Sequence, residues 1–306
     1  MEFCSFRFGA DESVRINSFV DLHPDCHHVL VVGSESDTHP PERRNRYEAC
    51  FQTGVLSDLE ESDSGNLPQE LLQFIKLYGP YCFAAQSSNR LRRSVAIVHF
   101  AQSLDGRIAT TTGASRWIGN RENLHHAHRM RALCDGVLVG SATFSRDRPR
   151  LTVRHVSGRN PVRIVVGSSP KGLKGAMDIS PDPVWLVGYE GEPINGDIEA
   201  VDAGRSKNGI IPGKAILRAL YRKGLHSVYI EGGATTASHF IKDHTVDVLQ
   251  LHISPMIVGS GKASFSLPAI EEIAEAKRFS AHRWFSMGDH IMFVGWFPHN
   301  EEGNSE

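Results

Sequence analysis

From residue 94 onward the chain falls into a rhythm that leaves few folds open. Apolar runs at 95–101, 136–139, 162–166, 184–187 and 228–230 alternate with helix-like or loop segments. Short apolar, β-branched runs bounded by turn residues read as strands, and strands that alternate with helical segments form a parallel sheet covered by helices. Helices are predicted at 121–134, 213–223 and 235–242, and late strands at 248–253 and 290–296. The reading is an α/β architecture. No fixed-period repeat is visible, which disfavours a solenoid or a propeller.

The rhythm does not extend to the first third of the chain. A polar, acidic stretch at 56–66 and a polar, basic one at 87–94 precede the first strongly apolar strand. We therefore place the main boundary at 93/94, giving an N-terminal region 1–93 of unknown fold and function, a main domain 94–297 and a tail 298–306. Within the first region, 29–33 reads as a short strand and 70–77 has apolar residues at helical spacing.

With 306 residues and 40% hydrophobic content the chain can bury a substantial core. Lys plus Arg total 33 against 35 for Asp plus Glu, a balance that argues against nucleic acid or a membrane surface as partner. Cys4, Cys26, Cys50, Cys82 and Cys134 are odd in number, scattered and never spaced as C-x-x-C. That pattern fits neither a disulfide framework nor a structural zinc site. No basic stretch leads into an apolar run at the N-terminus, and no apolar run approaches the ~18 residues that span a bilayer. The expectation is a cytoplasmic chain.

In open α/β sheets, ligands gather beyond the carboxyl ends of the strands, so the residues after each apolar run carry the candidate chemistry. After the first run, Asp105-Gly106 makes a tight turn beside Ser103 and Arg107. The loop 113–118 (GASRWI) offers the Ser115 hydroxyl and the Trp117 ring, which could stack on a planar ligand or pack in the core. Arg131, late in a His-rich helix, could hold a phosphate through paired donors or sit on a solvated face. The segment 141–154 (SATFSRDRPRLTVR) gathers Thr143, Asp147, Arg150 and Arg154 directly after a strand and reads as an anion-binding loop.

The strongest local feature is 228–240 (VYIEGGATTASHF), a strand leading through Glu231-Gly232-Gly233 into a helix start. Two glycines let backbone amides approach a ligand closely, and a helix N-terminus favours an anion. It is not the G-x-G-x-x-G fingerprint. Two histidine clusters, His125/His126/His128 and His23/His27/His28, raise the question of a metal. With no H-E-x-x-H and no carboxylate at ligand spacing, no metal is expected, and the helical histidines read as exposed. The G-x-S-x-G elbow of a serine hydrolase is also absent.

Taken in order, SLDGRIAT (103–110), S-x-W-I (115–118), Arg131-Ala132, D-x-P-x-L-T-V-R (147–154), E-G-G (231–233) and ISPMIVGSGK (253–262) resemble the reductase domain of the bifunctional riboflavin biosynthesis deaminase/reductase and its stand-alone relatives. The resemblance covers about two-thirds of the chain and implies a dihydrofolate-reductase-like fold, a mostly parallel sheet flanked by helices. It implies that Ala101, Trp117, Thr143, Asp147, Ser168 and 233–239, including Gly233, Ala234, Thr235 and Thr236, contact NADPH. By the same resemblance Ser115, Arg131, Leu151, Arg154 and Glu231 hold a phosphorylated pyrimidine.

The implied reaction is hydride transfer from NADPH to the ribose C1′ of a phosphoribosylamino-pyrimidine, giving the ribitylamino product, in a homodimer. Asp105, Arg107 and Glu231 are the catalytic candidates, and the proton comes from Asp105, Arg107 or a water. Arg107 stands where many relatives have Lys, and Arg148 where they have Asp or Asn. Since Arg keeps its proton, the first departure weakens any claim of a donating lysine. The zinc deaminase signature, H-x-E with P-C-x-x-C, is absent, so deamination is not expected. The alternatives are a reductase of the same fold recruited to another pterin, pyrimidine or natural-product intermediate, and a non-catalytic nucleotide-binding protein.

Overall fold

The computed structural model describes residues 3–8, 12–20, 26–34, 46–52, 55–56, 69–173, 180, 182–189, 198–204 and 210–298. The first five strands are β1 (Phe3–Phe8), β2 (Glu12–Val20), β3 (Cys26–Ser34), β4 (Arg46–Gln52) and β5 (Val55–Leu56). They pair antiparallel, in chain order, into a sheet of their own. The strand expected at 29–33 lies within β3. The side chains of Cys4, Cys26, Cys50 and the histidine cluster at 23–28 fall outside the described residues, as do 57–66 and 299–306.

The main sheet has nine strands: β6 (Val95–Ser103), β8 (Gly136–Gly140), β9 (Val162–Val166), β10 (Val184–Val187), β11 (Ile198–Val201), β12 (Ser227–Ile230), β13 (Val248–Ser254), β15 (Ala281–Met287) and β16 (His290–Trp296). Their spatial order is β11-β10-β9-β8-β12-β6-β13-β16-β15. From β11 to β13 every neighbouring pair is parallel; β16 alone runs against its two neighbours. The mostly parallel, helix-flanked sheet expected from the sequence is present. The residues of β8 and β12 are buried throughout, as parallel strands covered on both faces must be, and this is why they read as continuous apolar runs. A small ladder pairs β7 (Arg107–Ala109) with β14 (Lys262–Ala263).

Two helical layers cover the sheet. On one face Ile97, Val137, Val139 and Tyr229 meet Phe74, Leu77 and Tyr78 of α1 (Gln69–Tyr78), Met130 of α3 (Arg121–Leu133) and Phe144 of α4 (Ser141–Asp147). On the other, Ala96, Val98, Leu138 and Ile230 meet Ile216 and Leu220 of α5 (Gly213–Arg222) and Phe240 of α6 (Ala234–Lys242). The stretch 87–94, where the sequence suggests a boundary, contains the end of α2 (Ala84–Leu91) and then Arg93, which packs on the same body. The Arg93 guanidinium donates to both Asp247 oxygens, at 2.8 and 2.7 Å, with the two side chains only 9% and 5% exposed. Asp247 also accepts the Ala96 amide, so it anchors the start of β6.

Two local expectations are corrected. Residues 141–147 form α4 rather than a loop: the segment leaves β8 directly and seats Phe144 in the core, which outweighs the modest helix propensity of its Ser, Thr and Asp. His126 and His128 are fully buried, not exposed. His126 donates from Nε2 to Gln250 Oε1 at 2.9 Å and accepts at Nδ1 from Tyr78 Oη at 3.0 Å, and Gln250 in turn donates to Tyr81 Oη. A buried ring needs such partners.

Candidate active site

The C-terminal ends of adjacent strands β9, β8, β12, β6 and β13 form one edge of the sheet, and several of the sequence-predicted residues lie at or just past these ends. Arg131 points from α3 to Glu231, the residue that follows β12. Nε donates to Oε1 at 2.5 Å and Nη2 to Oε2 at 2.6 Å, a fork-to-fork pair with 11% and 12% exposure. The solvated-face alternative for Arg131 is thereby removed. Its third donor, Nη1, reaches the Thr152 carbonyl at 3.0 Å. Burial, the largest single influence, pulls the guanidinium toward losing its proton, but the charge of Glu231, its hydrogen bonds and the nearby Tyr229 together outweigh it and leave the pKa above its ordinary value.

Thr152 also holds Arg154, whose Nη1 donates to the threonine hydroxyl at 2.7 Å. Two cations, Arg131 and the exposed Arg154, thus share one threonine beside one carboxylate. Leu151 turns its side chain into the core at φ 57°, a left-handed backbone that is costly for a branched residue. What it can offer a ligand is backbone.

At the neighbouring strand ends the polypeptide comes close to itself. Gly233, the N-cap of α6 at φ 69°, lies so near α4 that a Cβ there would stand 2.9 Å from Thr143 Oγ1. Gly140 faces Thr236 in the same way, with 2.3 Å available. Gly233 brings no side chain to cap α6, so the first amides of that helix, from Ala234 on, are offered to whatever sits at the Gly-Gly turn. Ser168, exposed just past β9, borders the same edge, and Ala101 lies near the end of β6. His239 does not join them: its Nε2 bonds the Ile211 carbonyl at 2.7 Å, on the flank of α6.

Asp105 and Arg107 lie just past the end of β6. Asp105 accepts from Ser103 Oγ at 2.6 Å and from the backbone amides of Val258 and Gly259 at 3.1 and 2.7 Å. The serine bond and then these amides lower its pKa to about 2. Arg107 Nε donates to the Gly259 carbonyl at 2.8 Å. The motif at 253–262, which carries no chemistry as sequence, is therefore the dock for the turn at 103–107. A carboxylate so occupied is a poor proton donor near neutral pH, and Arg107 is no better.

Trp117 is 77% exposed at φ 77°, with the Arg116 guanidinium 5.2 Å from its ring. Its core-packing alternative is removed, and a planar surface is left to solvent beside exposed Ser115. Asp147 sits at the far end of α4, clamped by Arg146 at 2.7 and 2.9 Å, and that bond first of all lowers its pKa. Thr152, Val258 and Gly259 were not singled out from sequence, and His128 was weighed only as a metal ligand. Val258 and Gly259 act through backbone atoms, which side-chain identity does not report. Among the described residues no group of three or more His, Cys, Asp and Glu is placed to hold a metal, and no helix is long and apolar enough to cross a membrane.

Comparison with known proteins places the chain in a family. The family model described as the RibD C-terminal domain matches residues 95–293. A 2,5-diamino-6-ribosylamino-4(3H)-pyrimidinone 5′-phosphate reductase of Methanothermobacter thermautotrophicus is 32% identical over 214 residues, covering 65% of this chain and 96% of the relative. The riboflavin biosynthesis protein RibD of Aquifex aeolicus is 29% identical over 271 residues, 86% of this chain and 71% of the relative. Among solved structures, a Thermotoga maritima deaminase/reductase superposes with a TM-score of 0.58 at 26% identity, over 70% of this chain and 59% of that one. The Saccharomyces cerevisiae riboflavin biosynthesis reductase Rib7 shares the fold, with a TM-score of 0.55 at 18% identity, over 72% of this chain and 99% of that one. With the strand-end site and the family match falling on the same two hundred or so residues, the chain belongs to the RibD C-terminal domain family.

Proposed function

We propose that this chain is an NADPH-dependent reductase that transfers hydride to the ribose C1′ of a 5-phosphoribosylamino-pyrimidine in riboflavin biosynthesis, giving the ribitylamino product. The observation that carries the reading is the Arg131–Glu231 pair, nearly buried at the strand ends and bordered directly by Gly232 and Gly233. A buried fork-to-fork pair is costly to assemble, and its position beside a glycine turn with uncapped amides suits a site for two anionic ligands. The pyrimidine reductases among the relatives support the substrate class.

The residues present fit the cofactor. The absence of a Cβ at Gly233 keeps the space between Thr143 and the start of α6 open, and the amides of Ala234, Thr235 and Thr236 suit its phosphate groups. Thr143 and Ser168 border that space, and the Trp117 face and Ala101 flank the nicotinamide end. When bound, NADPH supplies the hydride. The chain's own residues bind and orient: Arg131 and Arg154 take the 5′-phosphate, Glu231 fixes Arg131 and faces the ribose, and Ser115 and the Leu151 backbone hold the heterocycle. Asp105 and Arg107 act by fastening the 103–107 turn to 256–259, and the proton comes from water. Donor and acceptor carbons must be held about 3–3.5 Å apart with water excluded from the reacting carbon.

The reductase unit is residues 94–297, with α1 and α2 contributing to its core, and it works as a cytoplasmic homodimer. The exposed Trp284 and Ile291 on the last two strands support a subunit interface there; gel filtration checks it. The test of function is near-ultraviolet absorbance of NADPH over time with the purified protein and, separately, the diamino-pyrimidinone and the deaminated uracil ribosylamino phosphates. Oxidation with one of them establishes the activity and its place relative to deamination. No oxidation with either, despite tight NADPH binding, rejects it in favour of a recruited or non-catalytic relative.

A further inference from the structure

We propose that His128 is a positioning residue that presents Arg154 to the substrate's phosphate by accepting the Arg154 backbone N–H at its Nδ1, 2.9 Å away. This deepens the proposed function and rests on Arg154 being a phosphate ligand. Residues 151–154 belong to no helix or strand, and Leu151 holds a left-handed backbone at φ 57°. Such a segment does not choose its own conformation; something outside it must.

That something is α3. His128 and Arg131 stand three residues apart on one helix face, and each sends one bond to the segment. Arg131 Nη1 takes the Thr152 carbonyl and His128 Nδ1 takes the Arg154 amide. With both backbone points fixed, the Arg154 guanidinium is further tied by Nη1 to Thr152 Oγ1 and otherwise faces solvent, where a phosphate arrives.

His128 cannot touch the ligand itself, because the residue is fully buried. To accept a backbone N–H at Nδ1 the ring must be neutral and carry its proton on Nε2. Its surroundings enforce this: burial first, then the charges of Arg131 and Arg154, lower its pKa to about 3. Its Nε2–H is buried without a hydrogen-bond partner among the described residues, and the His155 ring lies edge-on at 4.6 Å, with His125 also nearby. The imidazole thus works as a fixed acceptor, not as an acid or a base.

The test uses the full chain with His128→Leu, His128→Asn and Arg154→Ala, measuring KM for the phosphorylated substrate, KM for NADPH, kcat, and inhibition by inorganic phosphate as a probe of the anion site. Leu removes the acceptor; the Asn side-chain oxygen can stand near the place of Nδ1. The expected result for His128→Leu is a roughly tenfold rise in substrate KM and in the phosphate inhibition constant, one tenfold step of affinity, with NADPH KM unchanged. His128→Asn is expected to recover most of that loss. Unchanged substrate KM in His128→Leu, while Arg154→Ala raises it, overturns the role of His128 alone. A parallel rise of both KM values together with a fall in thermal stability, with Asn no better than Leu, also overturns it in favour of a packing role. If Arg154→Ala itself leaves substrate KM and phosphate inhibition unchanged, the reading of Arg154 falls and the inference falls with it.

Discussion

Replacing Glu231 with Leu tests the energetics on which the proposed site rests. The substitution leaves a guanidinium that is 11% exposed facing a side chain that cannot accept a hydrogen bond, where two bonds of 2.5 and 2.6 Å stood before. Removing one partner of a buried ion pair costs about 3–5 kcal/mol, because the other charge is left uncompensated. Arg131 keeps its bond to the Thr152 carbonyl, which places the expected loss near the lower end, about 3 kcal/mol. For a body of this size that corresponds to a drop in Tm of roughly 6–12 °C.

The double variant Arg131→Met with Glu231→Leu separates the unpaired charge from everything else. Apolar residues of similar volume commonly replace a buried pair at little net cost, and what remains is the abandoned Thr152 carbonyl, about 1 kcal/mol. The double variant is therefore expected to melt above the single one, although both have lost NADPH oxidation. Thermal unfolding followed by circular dichroism reads the first quantity and the absorbance assay the second. A Glu231→Leu protein within ~2 °C of the parent, or a double variant that loses the sum of the two single losses, would refute the reasoning.

Three further outcomes are expected. Gly233→Ala forces an L side chain into the left-handed region and to 2.9 Å from Thr143 Oγ1; about 1–2 kcal/mol of stability is lost, and calorimetry finds NADPH binding weakened, equal affinity being evidence against the phosphate turn. Asp105→Asn is expected to speed hydrogen exchange at the Val258 and Gly259 amides. Because the Asp105 pKa is lowered to about 2 in the folded chain, its contribution is fully present above its unfolded value of about 3.9 and fades as pH falls through about 2, so the parent's advantage over Asp105→Asn narrows in that window; a constant difference contradicts this. His99, His126, His128 and His252 are each lowered, first by burial, to about 3. Unfolded histidines take up protons near pH 6.5, so stability is complete above roughly that value and declines steadily toward pH 3; urea unfolding that is independent of pH between 6.5 and 4 would count against four buried neutral rings.

The sheet was legible because parallel strands covered on both faces leave nearly continuous apolar runs, and β8 and β12 are of that kind. The edge strand β15 was missed although it alternates, with His282, Trp284 and Ser286 exposed and Phe285 and Met287 buried; its polar residues hid a period-2 signal. Helix α4 was missed for a different reason. Its residues are weak helix formers, and its conformation is set by the strand it leaves and by the burial of Phe144. At the site, Arg131, Arg154, Glu231 and Gly233 were legible through side-chain chemistry and spacing. The docking of Asp105 onto the amides of Val258 and Gly259 was not, since any residue supplies an amide.

The least legible feature is how the sheet changes character toward the site. On the face beneath α3, β6 runs Ile97, His99, Ala101, Ser103 and its parallel neighbour β13 runs Val248, Gln250, His252, Ser254, paired residue against residue in that order. Both strands thus begin apolar at the α1 end and become polar at the ligand end. Burying those polar groups requires partners, and part of the supply comes from upstream: Tyr78 serves His126, and Tyr81 serves Gln250. Helix α1 and the turn after it therefore do more than cover apolar surface. They complete the polar layer on which α3 rests, and α3 carries Arg131 and His128. A truncation starting at residue 94 removes both tyrosines and leaves His126 and Gln250 short of partners beneath the helix that builds the site, so such a fragment would retain every motif of the family while losing the support that aims them.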